Sequence, residues 1–307
     1  MQSAVGKRKR MSVGKKRDLI FYIALMALPV LQFIIFYIIV NANSIIIAFK
    51  EYDISAGNSY FVGFANFKAA FEKLFHDGDM VSAIGTSFLS FIITFGIGTP
   101  LAILFSYYIY KKLPMCKLFR VLLFMPSIIS AIVMVTIFQI FVESAVPEIV
   151  RKLFGKTITG FIENPDTRYG TIMFYNIYIS FGVSVLMYSD TMNNIPPEMV
   201  EAARMDGATG LREFWHITLP MIFPTFTTFV VVNVASMFVA QFNLYSFFGG
   251  ASPIKTLGYW LYTRTQSAAS VADYPMLSAM GLMLTVVTVP MTLLVKKLLE
   301  KFGPKQD

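Results

Sequence analysis

Charge is scarce in this chain. Only 14% of its 307 residues are Asp, Glu, Lys or Arg, whereas an ordinary soluble domain carries about 25%. Hydrophobic residues make up 56% of the chain, and a water-soluble core could not bury that much apolar surface. The shortage of charge therefore excludes an ordinary soluble protein.

Cysteine and histidine are also rare, which limits the chemistry available. The single cysteine, Cys116, excludes an intrachain disulfide, and two histidines, His76 and His216, provide no metal cluster. The run Gly-Lys-Thr at 155–157 looks like the end of a phosphate-binding loop, but Val150 replaces the glycine that such a loop requires. No nucleophile and general base converge either. We therefore expect no catalysis, nucleotide, cofactor or metal on this chain.

Long uncharged runs are what the chain does have. Each is long enough to cross a hydrocarbon layer, which needs about 20 apolar residues in a helix. Backbone groups in lipid must be satisfied within the segment, and barrel-type alternation is absent, so the spans are predicted to be helices. The six predicted spans are 19–41, 80–110, 121–142, 171–189, 217–243 and 274–295. The predicted fold class is an all-α integral membrane protein with six transmembrane helices.

The distribution of positive charge predicts the orientation of these helices. Most of the 26 Lys and Arg residues lie in the segments that share one side with the N-terminus, and positive charge is retained in the cytoplasm. Both termini are therefore predicted to be cytoplasmic, with membrane lipid and not nucleic acid as the partner of the basic excess. The predicted organisation is a basic head (1–18), a retained first helix (19–41), an extracellular segment (42–80), a five-helix transport core (81–297) and a cytoplasmic end (298–307).

The inner loop 193–220 carries the strongest local signals. Asn193 and Asn194 are predicted to cap a short helix, Pro197 fits its first turn, and Glu198 opposes the positive end of its dipole. Gly207 then supplies a stop. These signals together predict a short cytoplasmic helix.

One face of this short helix has the composition of a docking surface. Residues three and four apart share a helix face, small alanines allow close approach to a groove, and charged neighbours can make charge-assisted contacts with a partner. The face carries Met199, Ala202, Ala203 and Asp206, and the charged residues are Glu201, Arg204 and Asp206. An ordinary amphipathic helix lying on the bilayer is the alternative that these residues leave open.

The same loop carries a family resemblance. Residues 201–208, Glu-Ala-Ala-Arg-Met-Asp-Gly-Ala, followed by Phe214 and by Ile-Thr-Leu-Pro at 217–220, resemble the signature loop of binding-protein-dependent ABC importer permeases. The pattern is similar to the carbohydrate-uptake branch that includes the maltose and glycerol-phosphate permeases. Residues 61–67 and 119–130 are similar to further motifs of these sugar permeases. The resemblance thus covers nearly the whole chain.

The resemblance implies a type I ABC importer permease in a bacterial cell membrane. It implies a second homologous permease, two ABC ATPase subunits that hold the ATP and Mg, an extracellular solute-binding protein and a saccharide substrate. It also implies that the short helix docks in a cleft of the ATPase. The residues to which it gives this coupling role are Glu201, Ala202, Ala203, Asp206, Gly207, Ile217, Leu219 and Pro220.

A sugar path needs hydroxyl partners and aromatic faces on helices that line a cavity. The candidates at membrane depth are Gln139, Tyr175, Asn176, Tyr178, Asn233, Gln241 and Asn243. Asn233 and Gln241 are eight positions apart, so they are predicted to share one face of the fifth helix. Hydrogen bonds between helices are the alternative role for such amides.

Other transport functions remain open at this point. An importer of the same family for a non-sugar solute, such as a glycerol phosphate, would be favoured by a cation inside the cavity, and none is visible. A proton-coupled secondary transporter would be favoured by an ionisable residue at membrane depth, and the six predicted spans contain none. A secondary transporter also leaves the pattern from Glu201 to Pro220 without an explanation.

Overall fold

The chain is described over residues 13–267 and 270–304 of a computed structural model. The predicted basic head (1–18) and cytoplasmic end (298–307) lie partly outside these residues. Six helical segments of the described residues are long and apolar enough to cross a membrane, which confirms the predicted number. They are Arg17–Ala48, Gly78–Tyr110, Ala131–Phe154, Pro165–Asn193, Leu211–Ser236 and Val271–Phe302.

The first segment stands largely apart from the others. It consists of α1 (Val13–Phe33), a π-helical stretch (Ile34–Ile39) and α2 (Val40–Ala48). Of its described side chains only Ala48 is buried. The segment reaches the remaining helices through α2, which packs against the last helix, α14 (Tyr274–Phe302).

A small hairpin follows the first segment. Strands β1 (Lys50–Asp53) and β2 (Asn58–Phe61) pair antiparallel, with Lys50 opposite Phe61. The Asn66 amide donates to the carbonyls of Ala48 at 3.0 Å and Lys50 at 2.7 Å. Asn66 thereby fixes the hairpin to the short helix α3 (Ala65–His76).

Two long helices form the centre of the fold. Helix α4 (Gly78–Tyr110) begins where the Asp77 carboxylate accepts from the backbone N–H of Asp79, and α8 (Pro165–Asn193) has a similar cap from Asn164. The two helices pack along each other. Ser106 Oγ donates to the carbonyl of Val185 at 3.0 Å in the buried interface.

The predicted third span, 121–142, is not one continuous helix. Helix α5 (Cys116–Ile128) contains Pro126 in its last turn, and Ile129, which follows the helix, is extended. A second helical run then extends beyond 142. It consists of α6 (Ala131–Ile140), a π-helical stretch (Phe141–Ala145) and α7 (Val146–Phe154). The Glu143 carboxylate, in the π-helical stretch, accepts hydrogen bonds from the backbone N–H groups of Ile162 and Glu163.

Close backbone contact joins α5 to α8. A Cβ at Gly182 would lie 1.9 Å from the carbonyl oxygen of Leu123 and 3.0 Å from Cα of Phe124. Only glycine fits there, and small residues are what allow helices in a membrane to approach this closely.

The predicted fifth span, 217–243, is displaced towards the N-terminus. Helix α9 (Pro197–Met205) precedes a continuous run of α10 (Leu211–Glu213), a π-helical stretch (Phe214–Thr218) and α11 (Leu219–Ser236). The run ends at Ser236 because residues 237–243 form turns, in which Phe242 and Asn243 have positive φ. The chain continues through α12 (Leu244–Phe248), α13 (Leu257–Gln266), a 3₁₀ turn (Val271–Asp273) and α14.

Candidate functional site

The inner loop contains the predicted short helix, α9, but its N-terminus differs from the prediction. Helix α8 continues to Asn193 and is capped at Asn194, so neither asparagine caps α9. Pro196 is the N-cap of α9, without a side-chain hydrogen bond, and Pro197 opens its first turn as predicted. Helix α9 ends at Met205, and Gly207 follows with a φ of +79°, in the left-handed region that glycine adopts without strain.

Helix α9 is held by one apolar residue and exposes most of its predicted face. Val200 is buried in a cluster that includes Met192, Ile195 and Phe214. Burying a Val side chain stabilises a fold by about 1.5–3 kcal/mol. Ala203 is half-buried, whereas the remaining predicted docking residues of the helix are exposed. The exposed ones are Met199, Glu201, Ala202, Asp206 and Gly207.

A continuous helix connects this loop to the membrane-spanning part. Ile217, Leu219 and Pro220 lie in the run from Leu211 to Ser236, and all three are half-buried. Leu219 packs against the same cluster as Val200. Residues 206–210 separate α9 from this helical run, so a displacement of α9 reaches α11 through the cluster that Val200 and Leu219 share.

A buried ion pair also lies in this loop, and the sequence reasoning missed it. The Glu213 side chain is only 2% exposed and forms a salt bridge with Lys111, directly after α4. Tyr107 of α4 donates from its hydroxyl to the carbonyl of Gly210 at 2.9 Å. The one signal in the sequence was that Glu213 is the single acidic residue in the run 210–220. Nothing in that run identified the residues with which Glu213 pairs.

A cleft of about 470 Å³, with apolar and uncharged polar walls, opens between α4, α8 and α11. Its walls combine hydroxyl and amide groups with aromatic rings, including Phe95, Phe181 and Phe229, and no described residue that lines it is charged. Its polar lining residues include Thr94, Thr99, Asn176, Ser180, Ser184 and Asn233.

Several of these polar groups have capacity for further hydrogen bonds. Ser180 and Ser184 donate to carbonyls of their own helix at 2.8 and 3.1 Å, so their oxygens can still accept from a ligand hydroxyl. Asn233 donates one amide proton to the carbonyl of Phe229 at 2.8 Å, which leaves its second proton available. Tyr188 also lines the cleft, but its hydroxyl is buried away from it and has no hydrogen-bond partner among the described residues. The cleft thus offers both donors and acceptors.

Two of the seven predicted path residues line this cleft, Asn176 and Asn233. Asn243 lies beside it, and its side-chain amide donates to Oδ1 of Asn176 at 2.8 Å, while the Asn176 amide donates to the backbone carbonyl of Phe242 at 2.9 Å. The prediction that Gln241 shares a helix face with Asn233 is wrong, because α11 ends at Ser236.

The remaining predicted path residues pack against neighbouring elements. Gln139 donates to the carbonyl of Phe247 at 3.1 Å, which is the interhelical role left open as the alternative. Tyr175 is fully buried against Phe138 and Phe247, and Tyr178 stacks on Phe174. The sequence reasoning missed the hydroxyl groups of the cleft, because Ser and Thr are common on helices for packing reasons alone.

Metal binding finds no support in the part of the chain that the structure describes. No group of three or more His, Cys, Asp or Glu side chains there could hold a metal ion.

Comparisons with known proteins converge on one family. Residues 98–307 match the model of the binding-protein-dependent transport system inner membrane component family. The chain is 24% identical to the arabinooligosaccharides transport system permease protein AraP of Bacillus subtilis, covering 89% of this chain and 86% of that protein. It is 26% identical to the sn-glycerol-3-phosphate transport system permease protein UgpA of Salmonella typhimurium, over 83% of this chain and 88% of that protein.

Solved structures give the same fold. A crystal structure of a bacterial ABC transporter involved in import of the acidic polysaccharide alginate contains a chain similar to this one, with a TM-score of 0.75 and 21% identity. The similarity covers 94% of this chain and 97% of that chain.

Proposed function

The chain belongs to the family of binding-protein-dependent transport system inner membrane components, and from this we propose that it forms half of the path of an ATP-driven saccharide importer. It would pair with a second homologous permease and with two ATPase subunits that bind the ATP and Mg. An extracellular solute-binding protein would deliver the cargo. The chain itself would carry out no chemistry.

The connection between the inner loop and the cleft is the observation that carries this proposal. Helix α9 exposes Met199, Glu201 and Ala202 on the side away from Val200, which is buried. The run from Leu211 to Ser236 follows α9 and ends beside the cleft, where Asn233 lines it. Val200 of α9 and Leu219 of this run pack in the same cluster, so a force applied to α9 by an ATPase would change the position of a wall of the path.

The lining of the cleft favours an uncharged saccharide as cargo. Sugar hydroxyls both donate and accept hydrogen bonds, and the cleft offers groups of both kinds beside aromatic rings. The alternative cargo, a glycerol phosphate, is suggested by the similarity to UgpA. A phosphate would require a cation, and no described residue that lines the cleft is positively charged.

Co-purification tests this proposal. The tagged chain would be isolated from native membranes in mild detergent, and the proteins that accompany it identified by mass spectrometry. We expect an ABC ATPase, a second permease and a solute-binding protein, and ligand screening of the last would identify the cargo. Repeated recovery of the intact chain alone would favour the secondary transporter and refute the proposal.

A further inference from the structure

Glu213 is a buried charge at an unusual place in the fold. Its side chain is 2% exposed, and a carboxylate that is removed from water requires a counter-charge. Lys111 Nζ donates to one carboxylate oxygen of Glu213, and the Lys111 side chain is only 18% exposed. Arg204 Nε lies 3.8 Å from the other oxygen and is more exposed, at 55%.

These three residues, which we call the Glu213 cluster, belong to three different elements. Lys111 directly follows α4, Arg204 lies in α9, and Glu213 ends α10, which continues into α11. The cluster therefore joins the exposed helix of the inner loop to two helices that line the cleft.

Neutral contacts reinforce the same junction. The Tyr107 hydroxyl donates to the carbonyl of Gly210, and the Tyr107 ring packs edge-to-face on Phe214 with centroids 5.0 Å apart. An ion pair at the inner end of α14 shows the contrast: Lys296 and Glu300 are 3.7 Å apart, with side chains 52% and 59% exposed. Such exposed pairs contribute little to stability.

We propose that the Glu213 cluster is a positioning device that makes α4 and α11 follow the movement of α9. Burial of an ion pair is weak evidence for a role in stability, because desolvation offsets most of the attraction. Fixed geometry between the joined elements is what a buried pair supplies best. The inference rests on the proposed function, since α9 must be moved by an ATPase for the cluster to transmit anything.

A conformational assay tests the cluster without knowledge of the cargo. In the purified complex, with Cys116→Ser and Ser180→Cys, the rate of N-ethylmaleimide labelling at position 180 reports access to the cleft, which Ser180 lines. The rate is measured with ADP and with ATP plus vanadate, and ATP hydrolysis is measured by phosphate release. Glu213→Gln and Lys111→Met remove the ion pair, whereas Glu300→Gln removes the exposed pair as the matched control.

We expect ATP to change the labelling rate in the parent complex and in the control. In Glu213→Gln and Lys111→Met, ATP hydrolysis should continue, while the ATP-dependent change in rate falls about tenfold, within the usual range of coupling between sites. The conservative Lys111→Arg, which keeps the positive charge beside Glu213, should retain most of the change. A purely structural role would instead lower hydrolysis and labelling response together.

Full retention of the ATP-dependent change in Glu213→Gln would overturn the inference. If that variant does not assemble, the Lys111 variants decide: an assembled Lys111→Met that keeps the full change overturns the inference, and loss of the change in Lys111→Met with its retention in Lys111→Arg supports pairing. A parent complex without an ATPase is a different result, because it would refute the proposed function itself.

Discussion

Gly207 allows a test of docking that separates backbone strain from added bulk. Its φ is +79°, and a Cβ built there would meet nothing within 4 Å. A side chain at this position is therefore strained, but its Cβ does not clash, and because Gly207 is exposed a larger group can extend into solvent. Gly207→Trp and Gly207→Ala share the strain, and only Trp adds a large group beside the exposed face of α9.

The shared strain has a known size. An L-residue in the left-handed region costs about 1–2 kcal/mol, so both variants should lower the stability of the isolated chain by this amount. Because a Cβ at Gly207 meets no other atom within 4 Å, the Trp variant should be no less stable than the Ala variant in the isolated chain. The difference between the two variants then reports what lies against α9 in the assembled complex.

The assay compares thermal unfolding of the purified chain with ATP-driven uptake by reconstituted vesicles. We expect equal unfolding temperatures for the two variants. Because a Trp in a tightly packed interface costs at least about 2 kcal/mol, uptake should fall by more than tenfold in Gly207→Trp relative to Gly207→Ala. Equal uptake by the two variants would refute the docking role of this surface.

Three further predictions follow from the packing and the cleft. In a thermal unfolding assay, Gly182→Val should lower the unfolding free energy by about 3 kcal/mol or more, because its side chain would overlap the backbone of α5. The control is Gly85→Val, because a Cβ at Gly85 has open space around it. Asn233→Leu should raise the KM for uptake of the cargo about threefold to tenfold, the worth of one or two hydrogen bonds. Asn41→Leu, which removes a similar bond to the preceding turn outside the cleft, should leave KM unchanged. Met205 and Leu153 are both exposed and test the predicted orientation. In a Cys116→Ser background, an impermeant maleimide should label Met205→Cys only in inside-out vesicles and Leu153→Cys only in right-side-out vesicles. The reverse pattern would contradict the predicted orientation.

The sequence predicted best what depends on local signals. The six spans follow from runs of uncharged residues, and helix α9 follows from Pro197 at its start and Gly207 after its end. Helix ends were predicted less well. Residues 237–243 are uncharged like the helix before them, so the charge pattern gave no reason to stop at Ser236, and the contact between the Phe242 carbonyl and Asn176 in the following turn is not visible in the sequence.

Long-range polar contacts explain the other differences. Glu213 and Lys111 are 102 residues apart, so neither residue predicts the other from sequence. Gln139 was a reasonable candidate for the path until its amide was found bonded to the backbone of α12. Buried polar groups in helices need partners, but sequence alone does not distinguish a ligand from a neighbouring helix as that partner.

The contacts around the cleft determine how this subunit could move. At the inner end, Lys111 and Tyr107 join α4 to the start of the α11 run. At the same end, Ser106 joins α4 to α8, and farther along α8 Asn176 joins this helix to the turn after α11. All three walls are thus connected to one another by polar contacts, so they should move together as one rigid body when α9 is displaced. If the chain works as proposed, access to the cleft should therefore change between this subunit and its partner permease, and not by separation of these three helices.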